Sequence, residues 1–198
     1  MARPAKFDEE QILDAALQLI SDRGPAAATI GGIARLLHAP VGSIYHRFRS
    51  RDELLARLWL RTIRQFQTGF LQALADDNLD TAAVAAALHE VRWVRQNPEK
   101  ARMLLLYRRQ DLLASDWPQD LSSELTGLNA DVKAAMRRHA RQRFGSANAQ
   151  AMARLTFALV DVPYAAIRRY LADGKPPPPH VDELVTETVM AILAKPVT

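Results

Sequence analysis

Residues 29–48 read TIGGIARLLHAPVGSIYHRF and continue as RSRDELL through residue 55. Thr29 stands where an N-cap would open a short helix with apolar positions Ile30, Ile33, Ala34 and Leu37. Gly31 and Gly32, in its opening turns, are poor helix formers and need a reason beyond propensity. Pro40 stops any continuation, because its ring disfavours helical geometry at Ala39, yet it suits the first position of a further helix. The stretch is thus two short helices around a tight turn at His38 and Ala39. In the second, Val41, Ile44, Tyr45 and Phe48 fall at i, i+3, i+4 and i+7, so one stripe is apolar. Ile44 and Phe48 are expected in a core, with Val41 and Tyr45 at its edge.

The same periodicity runs outward in both directions. Upstream, Asp8 is placed to cap a helix with apolar face Ile12, Leu13, Ala16, Leu17 and Ile20, which Gly24 and Pro25 end. Downstream, Ser50 and Glu53 form a capping-box pair before a long helix carrying Leu54, Leu55, Leu58, Trp59, Ile63, Phe66, Phe70 and Leu74. Further helices are expected near residues 81–96, 98–113, 119–144, 147–172 and 181–194, with the proline run 176–179 as a stiff connector. Strand signals are nearly missing, so the fold class is all-α. The division expected is a helix-turn-helix domain over residues 1–50 and a larger helical domain over 51–198.

Composition bounds the function. The 198 residues suffice for one or two compact domains, and the charge of +4 is mildly basic, which favours a polyanionic partner only weakly. Cysteine is absent, excluding disulfides, thiolate metal sites and a cysteine nucleophile. No signal-peptide pattern and no bilayer-length apolar run occurs, so a cytoplasmic protein with no membrane partner is expected. The five histidines lack metal-ligand spacing, and there is no catalytic constellation or glycine-rich phosphate loop. No metal, cofactor or enzymatic activity is expected.

Two short helices around a tight turn, the second followed by Tyr45, His46, Arg47, Arg49 and Arg51, have the layout of a helix-turn-helix DNA reader. A helix from Pro40 to His46 is only about 10 Å long and can enter a major groove end-on. Gly42 and Ser43 allow close backbone approach. Tyr45, His46, Arg47 and Arg51 would hold phosphates; Val41 can touch a thymine methyl, Ser43 several base edges, and His46 or Arg47 a guanine.

The span from Ile12 to Leu55 resembles the N-terminal DNA-binding region of the tetracycline-repressor (TetR) family of bacterial transcription regulators, through the "RG" ending the first helix, Thr29 before "IGGIA", and "GSIYHRF" followed by "ELL". The resemblance implies DNA-binding residues Thr29, Val41, Gly42, Ser43, Tyr45, His46, Arg47 and Arg51, and a homodimer on a palindromic duplex operator. The chain departs from the family pattern at the turn, where His38 replaces glycine, and at the cap of the reading helix, where Pro40 replaces Ser or Thr. Histidine tolerates positive φ better than most residues.

For the remaining helices the resemblance implies a small-molecule effector site and a dimer interface built by the last two. Aromatic and polar groups within apolar helices are the candidate effector lining: Trp59, Phe66, Trp93, Met103, Tyr107, Phe157, Asp161 and Tyr164. Each has an ordinary core reading, and Asp161 a structural one, paired with an arginine or facing solvent. Pro163 frees a carbonyl and should distort its helix. Leu155, Leu159, Val162, Leu184, Val185, Val189 and Ile192 are the candidate dimer interface, and periodicity alone serves an internal core equally well. The expected function is a repressor released from its operator by a mainly apolar ligand. Two other readings fit the composition: a helical sequestration or scaffold protein with a vestigial helix-turn-helix, and an architectural DNA-binding protein without ligand control.

Overall fold

The computed structural model describes residues 8–105, 112 and 116–194. Described elements are α1 (Glu9–Arg23), a 3-10 turn (Pro25–Ala27), α2 (Ile30–Leu36), α3 (Val41–Tyr45), α4 (Arg51–Ala73), α5 (Leu79–Gln96), α6 (Pro98–Leu105), α7 (Gln119–Gly127), α8 (Ala130–Phe144), α9 (Ala149–Thr156), a π-helical turn (Phe157–Asp161), α10 (Val162–Ala172) and α11 (His180–Leu193). The described residues contain no strand. The fold is all-α, with an N-terminal helix-turn-helix followed by a larger helical part. None of the described helices is long and apolar enough to cross a membrane. Packing divides the chain into two compact units, residues 1–63 with 99–126 and residues 64–98 with 127–198. The described residues of 51–63 and 99–126 therefore group with the helix-turn-helix segment.

In the first unit the local signals act as the chemistry requires. Asp8 and Gln11 exchange side-chain-to-backbone hydrogen bonds at the start of α1, and Gly24, at φ 81°, ends it. Thr29 caps α2, its hydroxyl accepting from the Gly32 N–H at 2.9 Å. Gly32 has its reason: a Cβ there would lie 2.8 Å from the Ala27 carbonyl oxygen. Gly31 has none, since nothing lies within 4 Å of its added Cβ. His38 takes the left-handed conformation at φ 50°, and Pro40 is the N-cap of α3 rather than its first residue, without a side-chain cap bond.

In the second unit, α5 packs against α11, α10, the π turn and α8. Its sequence AAVAAA supplies Ala82, Ala83, Ala86 and Ala87, all fully buried, and such small side chains let neighbouring helices approach closely. The proline connector is tied down by Arg95, whose Nε donates to the Pro177 carbonyl at 2.8 Å, while its guanidinium meets Asp182 at 2.6 Å. Pro163 has no N–H to complete the α-helical ladder. The turn before it widens, and the Val162 N–H donates to the Phe157 carbonyl in the π pattern.

The helix expected over 119–144 is broken at Leu128 and Asn129, and the one over 147–172 carries the π turn. The helix expected over 98–113 is described only through Leu105, and Tyr107 lies outside the described residues.

Candidate nucleic-acid interface

The short α3 is held by two side chains. Ile44 and Phe48 are fully buried, as their spacing predicts, and they anchor a helix too short to be stable alone. The outward residues are then fixed by geometry. Val41 is 46% exposed and Tyr45 53% exposed, so both stand off the core, with Gly42 and His46 exposed beside them. Thr29, also exposed, sits at the start of α2.

The polar groups of α3 are more constrained than the sequence suggests. The Ser43 hydroxyl donates to the Pro40 carbonyl at 2.7 Å, while the first-turn N–H groups receive no side-chain cap acceptor. Arg47 is half-buried, and its Nη1 donates to the Ser43 carbonyl at 3.0 Å. Arg51 has an internal role: Nε donates to the Ala28 carbonyl at 2.8 Å and Nη2 to the Pro25 carbonyl at 2.7 Å. It clamps the loop before α2, and the expected phosphate contact has no uncommitted fork of donors behind it.

Sequence reading missed the weight carried by Glu53. Its N–H donates to the Ser50 hydroxyl at 3.1 Å, as a capping box requires, but its carboxylate accepts from the Arg49 N–H at 2.9 Å instead of the Ser50 N–H. The carboxylate is buried and also pairs with Arg57, which reaches Asp120 at 2.8 Å. The Arg57 guanidinium holds the Asp120 carboxyl below its usual range. Arg61 pairs with Glu10 and Asp14 of α1. The Arg61 pairs tie α4 to α1 and the Arg57 pair ties it to α7, and nothing in residue spacing distinguished Glu53 from an ordinary cap.

Of the expected effector-lining residues that are described, Trp59 and Met103 belong to the first unit and Phe66, Trp93, Phe157, Asp161 and Tyr164 to the second. Phe66 and Trp93 meet edge to face at 5.4 Å in the second unit, with His89 at 5.1 Å from Phe66 and bonded to its carbonyl oxygen at 2.8 Å. Burial pushes the His89 pKa down. A Cβ on Gly69 would run into the His89 ring, so this cluster is tightly set. Trp59 and Met103 are buried in the first unit, with Trp59 Nε1 donating to the Leu104 carbonyl at 3.4 Å. Phe157, Asp161 and Tyr164 lie exposed on the π turn and α10, so Asp161 faces solvent. An open groove of about 620 Å³ in the second unit is lined by Asp77 to Asp80, Arg143, Phe144, Leu193 and Ala194, none of which is in the expected lining.

Two titratable groups of this unit escaped the sequence. Glu90 of α5 is half-buried as a residue, yet its carboxyl is so enclosed that burial, with the Asp161 charge adding to it, raises its pKa to about 8. His139 is buried with Nε2 unpartnered, and burial foremost, then Arg143, pushes its pKa down.

The expected dimer residues also divide. Leu155, Leu159, Val185 and Val189 are buried within the chain and belong to its own core, while Val162 and Ile192 are half-buried. Leu184, 55% exposed, faces outward, as do Phe157, Val160 and Tyr164. Periodicity found the stripes, but on these helices the inward stripe is the more regular one.

The first unit thus carries a helix-turn-helix whose second helix is pinned by two buried side chains, ahead of a larger helical part. Residues 12–58, about a quarter of the chain, match the tetR family of bacterial regulatory proteins. It is similar to the HTH-type transcriptional regulator AcrR of Shigella flexneri, 33% identical over 63 residues, a match covering 30% of this chain and 29% of that protein. Among solved structures it is similar to the TetR-family regulator PfmR of Thermus thermophilus, with TM-score 0.64 and 16% identity over 94% of this chain and 99% of that one. A TetR-family regulator from Bordetella parapertussis gives TM-score 0.61 and 20% identity over 93% of both chains. At these identities the structural likeness speaks for the fold.

Proposed function

We propose that the protein is a homodimeric transcriptional repressor that binds a palindromic duplex operator through α3 and leaves it when a small, mainly apolar effector binds. The observation that carries DNA binding is the arrangement of α3: Ile44 and Phe48 are consumed by the core, which leaves Val41, Tyr45 and His46 standing outward on a rigid support. Tyr45 and Arg47 hold phosphates, Thr29 faces the backbone of DNA, and Gly42 lets α3 approach the groove closely.

Dimerisation is supported by the exposed apolar side chains of Phe157, Val160, Tyr164 and Leu184 on the π turn, α10 and α11. Two-fold symmetry then matches a palindromic site. The effector is assigned to the second unit, with the Phe66 and Trp93 rings as its apolar contact. α4 is the route to the reader, since Arg51 to Ile63 belong to the first unit and Arg64 onward to the second. Release requires the ligand to bind the DNA-free conformation better, with a coupling of about 1–3 kcal/mol, or roughly 5- to 150-fold.

The test is in-vitro selection of bound duplexes, followed by a thermal-shift screen of small hydrophobic compounds and an operator-release assay on each hit. A palindromic consensus and a compound that lowers operator affinity about fivefold or more are expected. Selection of no consensus contradicts the DNA-binding reading, and tight binders that all leave operator affinity unchanged contradict effector control.

A further inference from the structure

We propose that Val41 sets operator specificity by packing against the 5-methyl group of a thymine in the major groove, in the space left beside it by Gly42. This rests on the DNA-binding reading above and adds the chemistry of what is read.

Three observations converge. Val41 is almost half exposed at the start of α3, in contrast to the fully buried pair Ile44 and Phe48. One exposed valine is ordinary by itself. Gly42 supplies an independent indication. Its backbone is not in the left-handed region, and an added Cβ would meet nothing within 4 Å, so the fold does not ask for glycine there. Glycine inside a helix is a cost to the fold, and one reason for it is close approach of a ligand. The third observation is what the neighbouring polar side chains do: the Ser43 hydroxyl proton goes to the Pro40 carbonyl, and an Arg47 nitrogen to the Ser43 carbonyl.

An isopropyl group neither donates nor accepts a hydrogen bond. Among the groups presented in the major groove, the thymine methyl is the apolar one. A valine on the outward face of the reading helix therefore discriminates thymine from the other bases through a methyl contact, and a missing Cβ at the next residue gives the methyl room.

The test replaces each thymine of a selected operator, one at a time, with deoxyuridine, which deletes the methyl and keeps the hydrogen-bonding edge. At one position in each half-site, wild-type binding should weaken about three- to fivefold, the worth of one buried methyl group. In Val41→Ala that loss should vanish while the effects of other base changes remain, and Val41→Ile should retain it. Gly42→Ala should raise thermal stability, as alanine is the better helix former, yet weaken operator binding about tenfold or more. A selected operator with no uracil-sensitive position that depends on Val41 overturns this inference and leaves the DNA-binding reading standing. So does Gly42→Ala with full operator affinity. Selection of no specific duplex overturns both.

Discussion

α3 and α5 are both amphipathic, yet only α3 announces its purpose. At α3 the core takes Ile44, and Phe48 just beyond the helix, while Val41, Tyr45 and His46 face outward and are available for a partner. In α5 the alanine face seats neighbouring helices, and three of its charged residues are engaged in ion pairs: Arg92 and Arg95 on Asp182, Asp80 on Arg143. A helix surrounded by others has several faces with different occupants, and a periodic stripe does not say which occupant it meets. Function is readable from a short helix at the edge and hidden in a long one at the centre.

The contrast is sharpest on α11 and the helix before it. Leu159 is fully enclosed, so Leu159→Lys should unfold the second unit, at a cost of about 3–5 kcal/mol or more, seen as loss of a cooperative thermal transition. Leu184 is exposed, and Leu184→Glu should keep its melting behaviour while shifting sedimentation from dimer to monomer. If both variants melt alike, the separation of inner and outer stripes drawn here is wrong.

The fold was legible to a considerable depth, for reasons that are local. Thr29 as a cap, His38 at positive φ and Pro40 as a stop are backbone chemistry acting within a few residues. Ile44 and Phe48 as core followed from spacing alone. What could not be read were tertiary commitments. Arg51 looks like one more arginine of a basic run until Pro25 and Ala28, more than twenty residues upstream, present their carbonyls to it. Asp161 stands between two valines in the sequence, but a helical turn carries neighbours to different sides, and the carboxylate emerges into solvent while Glu90, unremarked in the sequence, is the enclosed one.

Glu90 gives a smaller effect that separates the centre from the edge in another way. Its pKa is raised from an ordinary 4.5 to about 8, so the fold favours the protonated form. The associated stability is fully present below pH 4.5 and is lost as pH rises through about 8. Glu90→Gln should remove that dependence and stabilise the protein by about 1–3 kcal/mol at pH 8, with little change at pH 4.5, measured by urea denaturation at both. An unchanged pH profile would show that the carboxyl is solvated.

The central claim, that the outward face of α3 holds duplex DNA, is tested most directly by the salt dependence of operator binding in wild type and in Tyr45→Ala/Arg47→Ala. The account predicts a folded double variant with roughly tenfold or greater loss of affinity and a log–log salt slope smaller by about one, the signature of a lost phosphate contact. A correctly folded double variant that binds the selected operator with wild-type affinity and wild-type slope would contradict it.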